Sequence, residues 1–394
     1  MNRRILALLI AFIMLFGLMT GCASGKQETA APETAQTESP AAEETTAEPE
    51  QTEEVPAEEE APAEPETVSF TDSLGRTVEL PADITRIAPS GAVATMILAA
   101  IAPECMVTIN AAPSESQIAF LPANLAALPE TGQMHGGKAD LNLETLLAAD
   151  PQVVIDLGDK KGDMAEDLDA LQEQIGIPVI FIEADLPHMA EAFRTLGGLL
   201  SGKSDRGEEL AALVDRTTTM AEENAAKITD DTRVRVMYTT GEDGLGTNAA
   251  GSIQAQVLDM VGVENAVVVE DVSNKGGGNI ISLEQLYNFD PDVILFSDGS
   301  IYDTVADDSA WSQLTAISTG KYYEVPSSPY NWLSGPPSMN MILGVWWLGN
   351  LIYPEVYDYD MAEMTQELYK TLWGYELSSE EVTALLGNST LKAA

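Results

Sequence analysis

Two glutamates occupy equivalent positions in two copies of one sequence unit. Residues 141–158 read LNLETLLAADPQVVIDLG and residues 281–297 read ISLEQLYNFDPDVILFS, so Glu144 corresponds to Glu284. A carboxylate in the first turn of a helix usually stabilises that helix by about 0.3–1 kcal/mol through its dipole. Because the glutamate recurs at the same place in both units, we expect it to do more than complement a dipole.

Each unit predicts a helix, an Asp-Pro step and a buried strand. Asn142 and Ser282 suit a helix N-cap, and Gln285 completes a capping box with Ser282. The residue before a proline is disfavoured in the right-handed α region, which ends the helix at Asp150 or Asp290. A short apolar run follows, as is typical of strands in a parallel sheet. Two such units, far apart in the chain, predict two similar α/β lobes.

Polar residues in loops after predicted strands are the first candidates for ligand binding. Ser90 and Gly91 lie between a short strand and an apolar helix, and Asn248 lies in the glycine-rich loop 239–251. Such loops face a ligand when they stand at the carboxyl edge of an open parallel sheet. The glycine-rich loop has neither the GK[ST] ending nor the G-x-G-x-x-G spacing of nucleotide-binding loops. We therefore expect it to offer Asn248 and backbone N–H groups to a different kind of ligand.

Basic side chains of the first half give a second set of candidates. His135 lies in the loop GQMHGG just before the first repeated unit, where it either approaches a cleft or is simply exposed. Lys160, like Lys138 and Lys161, lies in a loop that either borders a cleft or faces solvent. We expect His188 to be exposed.

Three aromatic residues fall in loops after strands of the second half. Tyr302 follows the second repeated unit, and Tyr330, Asn331 and Trp332 lie in the proline-rich loop PSSPYNWLSGPP. These rings either pack the loops on one another or form a stacking wall for a bulky planar or chelated ligand. Trp346-Trp347, by contrast, lie within an apolar helix, and we expect them in the core.

Signatures of enzymes and of resident metal sites do not occur in the sequence. There is no G-x-S-x-G elbow, and two histidines with Cys105 cannot supply a zinc set of nitrogen and sulfur ligands. Cys105 is expected to be a small buried residue. The net charge of −44 argues against nucleic acid as a partner. We predict no catalytic residues, no metal of the protein's own and no cofactor.

The N-terminus predicts export and a lipid anchor. Residues 1–22 combine a basic start, an apolar core and Gly21-Cys22, which resembles a bacterial lipobox with Cys22 as the lipidated residue. An ordinary signal peptide with an incidental cysteine is the alternative. Residues 23–66 are rich in Glu, Ala, Pro and Thr, and a chain of this composition predicts a disordered acidic tether. We expect a folded body held at the outer face of the membrane by the lipid alone.

The rest of the chain predicts two lobes and a connector. Residues 67–203 begin with a hairpin around Ser73-Leu74-Gly75 and continue as alternating strands and helices, including a helix at Gln117–Ala127. Residues 204–229 predict one long helix capped by Ser204, and residues 230–394 form the second α/β lobe. One long helix between two lobes predicts modest motion of the lobes.

Several motifs together resemble a known family. These are the opening FTDSLGRTVELP, LNLETLLAADPQVVI, GSIQAQVLDMVGVENA, SLEQLYNFDPDVIL and the closing GPPSMNMILGVWWLGNLIYPE. They resemble the substrate-binding lipoproteins of bacterial ABC importers for ferric siderophores, haem and cobalamin, the class III periplasmic binding proteins. The resemblance covers Val68–Leu386.

That resemblance implies a fold, a partner and a cargo. It implies two Rossmann-like lobes with parallel sheets joined by one long rigid helix, acting as a monomer with a ligand between the lobes. It also implies that Glu144 and Glu284 dock against arginines of the membrane permease. The expected ligand is an iron complex, a ferric siderophore or haem-like chelate. The alternative ligand is an oxyanion such as molybdate or tungstate, held by Ser90, Ser252, Tyr302 and Asn331. Cobalamin is a less favoured ligand. A surface lipoprotein enzyme or adhesin is the alternative from a different functional class.

Overall fold

The computed structural model describes residues 66–135 and 140–390, all within one compact unit, Pro62–Ala394. The predicted signal peptide with Cys22, the tether up to residue 65, and Lys138 lie outside the described residues. The boundaries given above for the signal, the tether, the two lobes and the connector stay predictions.

The first lobe opens with the predicted hairpin. Strands β1 (Thr67–Thr71) and β2 (Thr77–Pro81) pair antiparallel, with Thr71 opposite Thr77. The turn closes because Gly75 adopts a φ of 82° and the Asp72 carboxylate accepts hydrogen bonds from the backbone N–H groups of Leu74 and Arg76, both at 3.0 Å.

A parallel sheet follows the hairpin. Its strands are β3 (Ile87–Pro89), β4 (Val153–Gly158) and β5 (Val179–Glu183), in the order β3-β4-β5. The central strand β4 is buried along almost its whole length, as its apolar run predicts. The helices of this lobe are α1 (Ala92–Ile101), α2 (Glu115–Ile118), α3 (Leu143–Ala148), α4 (Met164–Ile175) and α5 (Met189–Leu199).

The predicted helix at Gln117–Ala127 is wrong. Helix α2 ends at Ile118, and a separate 3-10 turn occupies Ala123–Ala127. Pro122 lies between the two pieces, and a proline inside a helix removes a hydrogen bond and clashes with the preceding turn.

The long connector is present as helix α6 (Ser204–Ala225), 22 residues and thus roughly 33 Å long. Its N-cap is Lys203 and no side chain caps it, so the predicted capping role of Ser204 is wrong. It packs closely on α5 because two glycines meet: a Cβ on Gly207 would lie 2.6 Å from the Phe193 carbonyl oxygen and 2.8 Å from the Cα atom of Gly197.

The second lobe is built on a larger sheet of β6 to β11. Its order is β11-β10-β6-β7-β9, with β8 also paired to β6. The pairs joining β11, β10, β6 and β8 are parallel, whereas β7 and β9 add an antiparallel edge. The strands are β6 (Arg235–Thr240), β7 (Gly246–Thr247), β8 (Glu264–Asn265), β9 (Asn279–Ile280), β10 (Val293–Phe296) and β11 (Tyr322–Glu324).

The second lobe also contains helices. They are α7 (Gln256–Val261), α8 (Leu283–Phe289), α9 (Thr315–Ser318), α10 (Met341–Ile352), α11 (Met361–Trp373) and α12 (Ser379–Leu386). Trp346-Trp347 of α10 are buried, as predicted, and so is Cys105. In the described part of the chain, no helix is both long and apolar enough to cross a bilayer.

The two repeated units fold alike. Asn142 caps α3 by accepting a bond from the Thr145 N–H, and Ser282 caps α8 through the predicted capping box with Gln285. Both caps are therefore confirmed.

In each unit the backbone turns at the aspartate that precedes the proline. Asp150 and Asp290 adopt positive φ values of 51° and 34°, the only non-glycine residues to do so in the described part of the chain. An arginine of the neighbouring strand region supports each turn: Arg86 Nε donates to the Asp150 carbonyl at 2.8 Å and Arg235 Nη1 to the Asp290 carbonyl at 3.0 Å.

Candidate functional site: a cleft lined by both lobes

A cleft of about 720 Å³ opens at the loops that follow strands of both sheets. From the first lobe come the residues after β3, the loop before α3 and the end of β4; from the second come the ends of β6 and β10, the glycine-rich loops and the proline-rich loop 327–337. This is the carboxyl edge of the parallel strands, where an open α/β sheet binds its ligands.

A buried aspartate joins two of the predicted residues in the cleft wall. Asp156 lies within β4, is only 3% exposed, and accepts a hydrogen bond from the Ser90 hydroxyl through one carboxylate oxygen. Its other oxygen lies 3.1 Å from Nε2 of His135. The three side chains thus form a Ser90–Asp156–His135 cluster in which the carboxylate is the central member.

Backbone hydrogen bonds position the histidine. The N–H of Met134 donates to the Ser90 carbonyl at 2.7 Å, which ties the loop to the end of β3. The N–H of Asp140 donates to the Gln133 carbonyl at 2.9 Å, and Gly132 has a φ of 74° with no room for a Cβ beside the Asp140 carbonyl. His135 therefore reaches Asp156 from a loop that is anchored on both sides.

The pKa of the His135 imidazole is raised above its ordinary value of 6.5. The largest cause is the hydrogen bond to the Asp156 carboxylate, which favours the charged imidazolium and outweighs the opposing effect of burial. The side chain keeps 34% of its surface exposed and faces the cleft.

The second lobe contributes a wall of neutral polar groups. The hydroxyl of Tyr238 donates to Asn331 Oδ1 at 3.3 Å, and Nδ2 of Asn248 donates to the Ser334 hydroxyl at 2.9 Å. Burial raises the pKa of Tyr330 to about 12, so its phenol stays protonated at neutral pH. These contacts fix the proline-rich loop against β6 and the glycine-rich loop.

Negative side chains outnumber positive ones in the described lining. The charged residues there are Asp156, Asp159, Asp298, His135 and Lys161. Lys161 Nζ lies 3.1 Å from Asp159 Oδ1, so this cation already has a partner. The N-terminus of α1, beginning after Gly91, adds a partial positive charge at the cleft.

Six of the nine predicted ligand residues line the cleft: Ser90, Gly91, His135, Asn248, Tyr330 and Asn331. The other three lie elsewhere. Lys160 Nζ donates to the Ser73 carbonyl of the hairpin at 3.2 Å, and Tyr302 packs against Phe296 and Tyr322. Trp332 is fully buried, with its ring centroid 6.4 Å from that of Tyr369. The Trp332 ring therefore lies in the core and not in the cleft wall, because the loop turns it inward.

Other cleft residues escaped the sequence analysis. Asp156 was missed although a carboxylate inside the apolar run VVIDLG is a visible signal of a buried polar contact. Gln133 lies in the loop that carries His135, and Lys161, which was expected either to border a cleft or to face solvent, lines the cleft. Tyr238 and Gln254 gave no signal in the sequence, since their approach to the cleft depends on how the lobes pack.

The repeated glutamates lie on the surface near the same edges of the sheets. Glu144 and Glu284 are exposed in the first turns of α3 and α8. The start of α3 is bonded to the cleft loop, since the Asn142 N–H donates to the Thr131 carbonyl at 2.8 Å. The start of α8 follows β9, whose partner β7 leads directly into Asn248. Each glutamate thus lies on a helix that begins beside a segment leading into its own lobe's side of the cleft.

Comparison with known proteins gives a family. A family profile described as periplasmic binding protein matches residues 106–329. The Fe(3+)-citrate-binding protein YfmC of Bacillus subtilis (strain 168) is 23% identical over 192 residues, which cover 48% of this chain and 58% of YfmC. The matched segment thus spans a little over half the length of that relative.

Solved structures share the fold over most of the chain. An ABC transporter solute binding protein from Sulfurospirillum deleyianum DSM 6946 superposes with a TM-score of 0.74 at 30% identity, covering 81% of this chain and 99% of that one. The molybdate periplasmic binding protein MolA of Haemophilus influenzae gives a TM-score of 0.64 at 20% identity, with coverage of 79% and 99%. At 20% identity, the likeness to MolA shows a shared fold only.

Proposed function

The chain belongs to the periplasmic binding protein family, and we propose that it captures an iron complex in the cleft and delivers it to the permease of an ABC importer. The iron complex is a ferric siderophore or a haem-like chelate. The predicted absence of catalytic chemistry accords with this family, whose members are solute-binding transport proteins.

The observation that carries the proposal is the cleft itself. Its volume of about 720 Å³ lies within the usual range for small-molecule sites and suits a chelate better than a bare ion. Both lobes supply its lining, with His135 and Ser90 on one side and Tyr330 and Asn331 on the other. A ligand held in this way contacts both halves of the molecule.

The charges of the lining favour a neutral or weakly charged complex over a bare oxyanion. Three carboxylates oppose a compact anion, and the α1 N-terminus, His135 and Lys161 offset this only in part, since His135 is paired with Asp156 and Lys161 with Asp159. Of the four residues expected to hold an oxyanion, only Ser90 and Asn331 line the cleft, and Ser90 already donates to Asp156. Molybdate and tungstate are therefore the second candidates.

Delivery depends on the repeated glutamates and on the anchor. Glu144 and Glu284, one on each lobe, would pair with basic groups of the permease and set the orientation of the bound protein. The lipid on Cys22 and the tether would hold the folded body at the outer face of the membrane, which raises its effective concentration at the permease. The protein would work as a monomer, with the membrane contacted by the lipid only.

A ligand panel tests the proposed cargo. Purified protein would be titrated with ferric siderophores, haem, cobalamin, molybdate and tungstate, with tryptophan fluorescence as the readout. Trp332 directly follows the cleft residues Tyr330 and Asn331, so an absorbing iron chelate should quench its emission. We expect saturable quenching by at least one iron complex.

Other results of the panel would contradict the proposal. Binding of molybdate or tungstate alone would establish the oxyanion function, and binding of cobalamin alone would reassign the cargo. No binding by any compound, together with a hydrolytic activity or adhesion to surfaces, would remove the transport function altogether.

A further inference from the structure

We propose that the second-lobe side of the cleft binds a chelator that carries a free ammonium group. In this assignment the Asp298 carboxylate is the counter-ion of the ammonium group, and the amide oxygens of Asn248 and Gln254 accept hydrogen bonds from other N–H groups of the chelator. The inference rests on the proposed function and narrows its cargo to a positively charged iron complex.

Two amide oxygens of the cleft wall have no hydrogen-bond partner within the described part of the chain. They are Oδ1 of Asn248 and Oε1 of Gln254, in residues that are 2% and 5% exposed and that line the cleft. The hydroxyl oxygen of Ser252, which lies between them in the sequence, is a third such atom. A buried acceptor without a donor is costly, so a ligand that offers N–H groups at this wall would gain affinity by satisfying it.

The charge balance of the cleft leaves one carboxylate over. His135 lies 3.1 Å from Asp156, and Lys161 lies 3.1 Å from Asp159. Asp298 has neither an ion pair nor a side-chain hydrogen bond with any residue that the structure describes. Because an unpaired carboxylate attracts cations and repels anions, it favours a ligand with a positive charge. The net charge of −44 acts in the same direction over longer distances.

The Asp298 carboxylate and the Asn248 amide belong to the two strands that flank β6. Thr239 of β6 stands opposite Phe296 of β10 on one side and opposite Thr247 of β7 on the other. Asp298 follows Phe296 by two residues, and Asn248 follows Thr247 directly. Since neighbouring strands lie about 4.8 Å apart, β10 and β7 are separated by roughly 10 Å. A chelate of siderophore size can span this distance, whereas a single metal ion cannot.

A side groove gives an ammonium-bearing arm room beyond the cleft. The groove has a volume of about 400 Å³ and shares Ser116, Asp298 and Ser327 with the cleft. Glu324 and Glu381 also line it, and no lysine, arginine or histidine is among the described residues of its wall. Across residues 66–135 and 140–390, no three His, Cys, Asp or Glu side chains are grouped so that they could hold a metal ion. The acidic groove therefore suits an organic cation better than a bare one.

Ferrioxamine B and its N-acetylated form are a matched pair of probes. Both wrap ferric iron in the same three hydroxamates, but only ferrioxamine B carries a free ammonium group. In calorimetric titrations we expect the wild type to bind ferrioxamine B about tenfold more tightly than the acetylated form, because a hydrogen bond to a charged group is stronger than one between neutral groups. Ferric citrate, an anionic complex, should bind more weakly than either.

A substitution at Asp298 tests the counter-ion. Asp298→Asn removes the charge and keeps the shape of the side chain, so this variant should bind the two forms with nearly equal affinity. Asp307→Asn, which alters an exposed aspartate of the same lobe outside the cleft, is the matched control and should keep the preference for ferrioxamine B.

A substitution at Gln254 tests the amide acceptors. Gln254→Leu should weaken the binding of both forms several-fold, while the apo protein stays as stable as the wild type in urea titrations, because leucine replaces an oxygen that has no partner among the described residues. Unchanged affinity in this variant, or a loss of stability without a loss of affinity, would show that Gln254 has a structural role only and would overturn the assignment of the acceptors.

The outcomes separate this inference from the proposed function. Equal affinity of the wild type for ferrioxamine B and its acetylated form would overturn the inference, and so would a preference that persists in Asp298→Asn. Failure of both trihydroxamates to bind while another iron complex binds would overturn it as well, but would leave the transport function standing. If no iron complex binds, the proposed function itself fails.

Discussion

Asp156 illustrates how far a single residue can be interpreted from sequence. A carboxylate inside an apolar strand indicates a buried polar contact, but its partners, Ser90 and His135, lie 66 and 21 residues away along the chain. Such pairings depend on strand order and loop anchoring, which no local pattern contains. Trp332 shows the same limit, because spacing in a proline-rich loop does not tell whether a ring turns outward or into the core.

The two histidines make the stability of the folded protein depend on pH near neutrality. Hydrogen bonds to Asp156 and Asp185 raise the pKa values of His135 and His188 above 6.5. A raised pKa in the folded state means that the folded protein binds the proton more tightly than the unfolded chain. The stabilisation is therefore fully present below pH 6.5 and is lost as pH rises through the folded-state values.

We expect the free energy of unfolding of the apo protein to decrease between about pH 6 and pH 8. Denaturant titrations at several pH values would measure it. In His135→Gln combined with His188→Gln the slope over this interval should be close to zero. A slope of the opposite sign in the wild type, or an unchanged slope in the double variant, would contradict the assigned bonds.

At the scale of elements, the close crossing of α5 and α6 depends on glycine. A Cβ on Gly207 would clash with backbone atoms of Phe193 and Gly197, and backbone cannot move aside as a flexible side chain can. We expect Gly207→Ala to destabilise the protein by about 1–3 kcal/mol through this overpacking. Thermal and urea unfolding followed by circular dichroism would measure the loss.

Gly198 provides the matched control on α5. It is exposed and nothing lies within 4 Å of its added Cβ, so Gly198→Ala should be neutral or stabilise the helix by up to about 1 kcal/mol. Equal effects of the two substitutions would show that the crossing is looser than the structure indicates.

The repeated units show which elements sequence patterns predict well. Capping residues, the Asp-Pro step and the apolar strands are local signals, and both copies fold as they indicate. The bonds from Arg86 and Arg235 to the carbonyls of Asp150 and Asp290 were not predicted, since each joins residues more than 50 positions apart. The predicted helix at Gln117–Ala127 was wrong for a local reason, because Pro122 interrupts it.

At the scale of the whole molecule, α6 is tied to both halves of the fold. Arg206 donates to the Ala100 carbonyl of α1 at 3.0 Å and to the Thr371 carbonyl of α11 at 2.6 Å. The indole of Trp346 donates to the Thr217 hydroxyl at 2.8 Å. A connector held in this way should allow the lobes little relative movement.

Distance measurements between spin labels would test this rigidity. Labels at Glu173→Cys in α4 and Asp307→Cys in the second lobe, in a Cys105→Ser background, occupy exposed positions on the two halves. We expect nearly the same distance distribution with and without ligand. A shift of several ångströms on binding would show that the connector bends.

The docking role of the glutamates also belongs to the whole molecule. Neither Glu144 nor Glu284 lines the cleft, so Glu144→Lys with Glu284→Lys should abolish uptake in cells and leave ligand affinity unchanged. Glu222→Lys with Glu223→Lys, which alters exposed glutamates of α6, is the matched control and should transport normally. Loss of affinity in the first variant, or normal uptake, would refute docking through these carboxylates.

The proposed function requires a metal chelate in the cleft between the lobes, and calorimetry with a blocked cleft tests this most directly. Gly276 is exposed at the cleft with open space at its Cβ, so Gly276→Trp should obstruct the ligand, whereas Gly198→Trp on α5 should not. For the iron complex selected by the ligand panel, we predict one bound chelate per protein, at least tenfold weaker binding to Gly276→Trp and unchanged binding to Gly198→Trp. Equal affinity of all three proteins would place the ligand elsewhere and contradict the account.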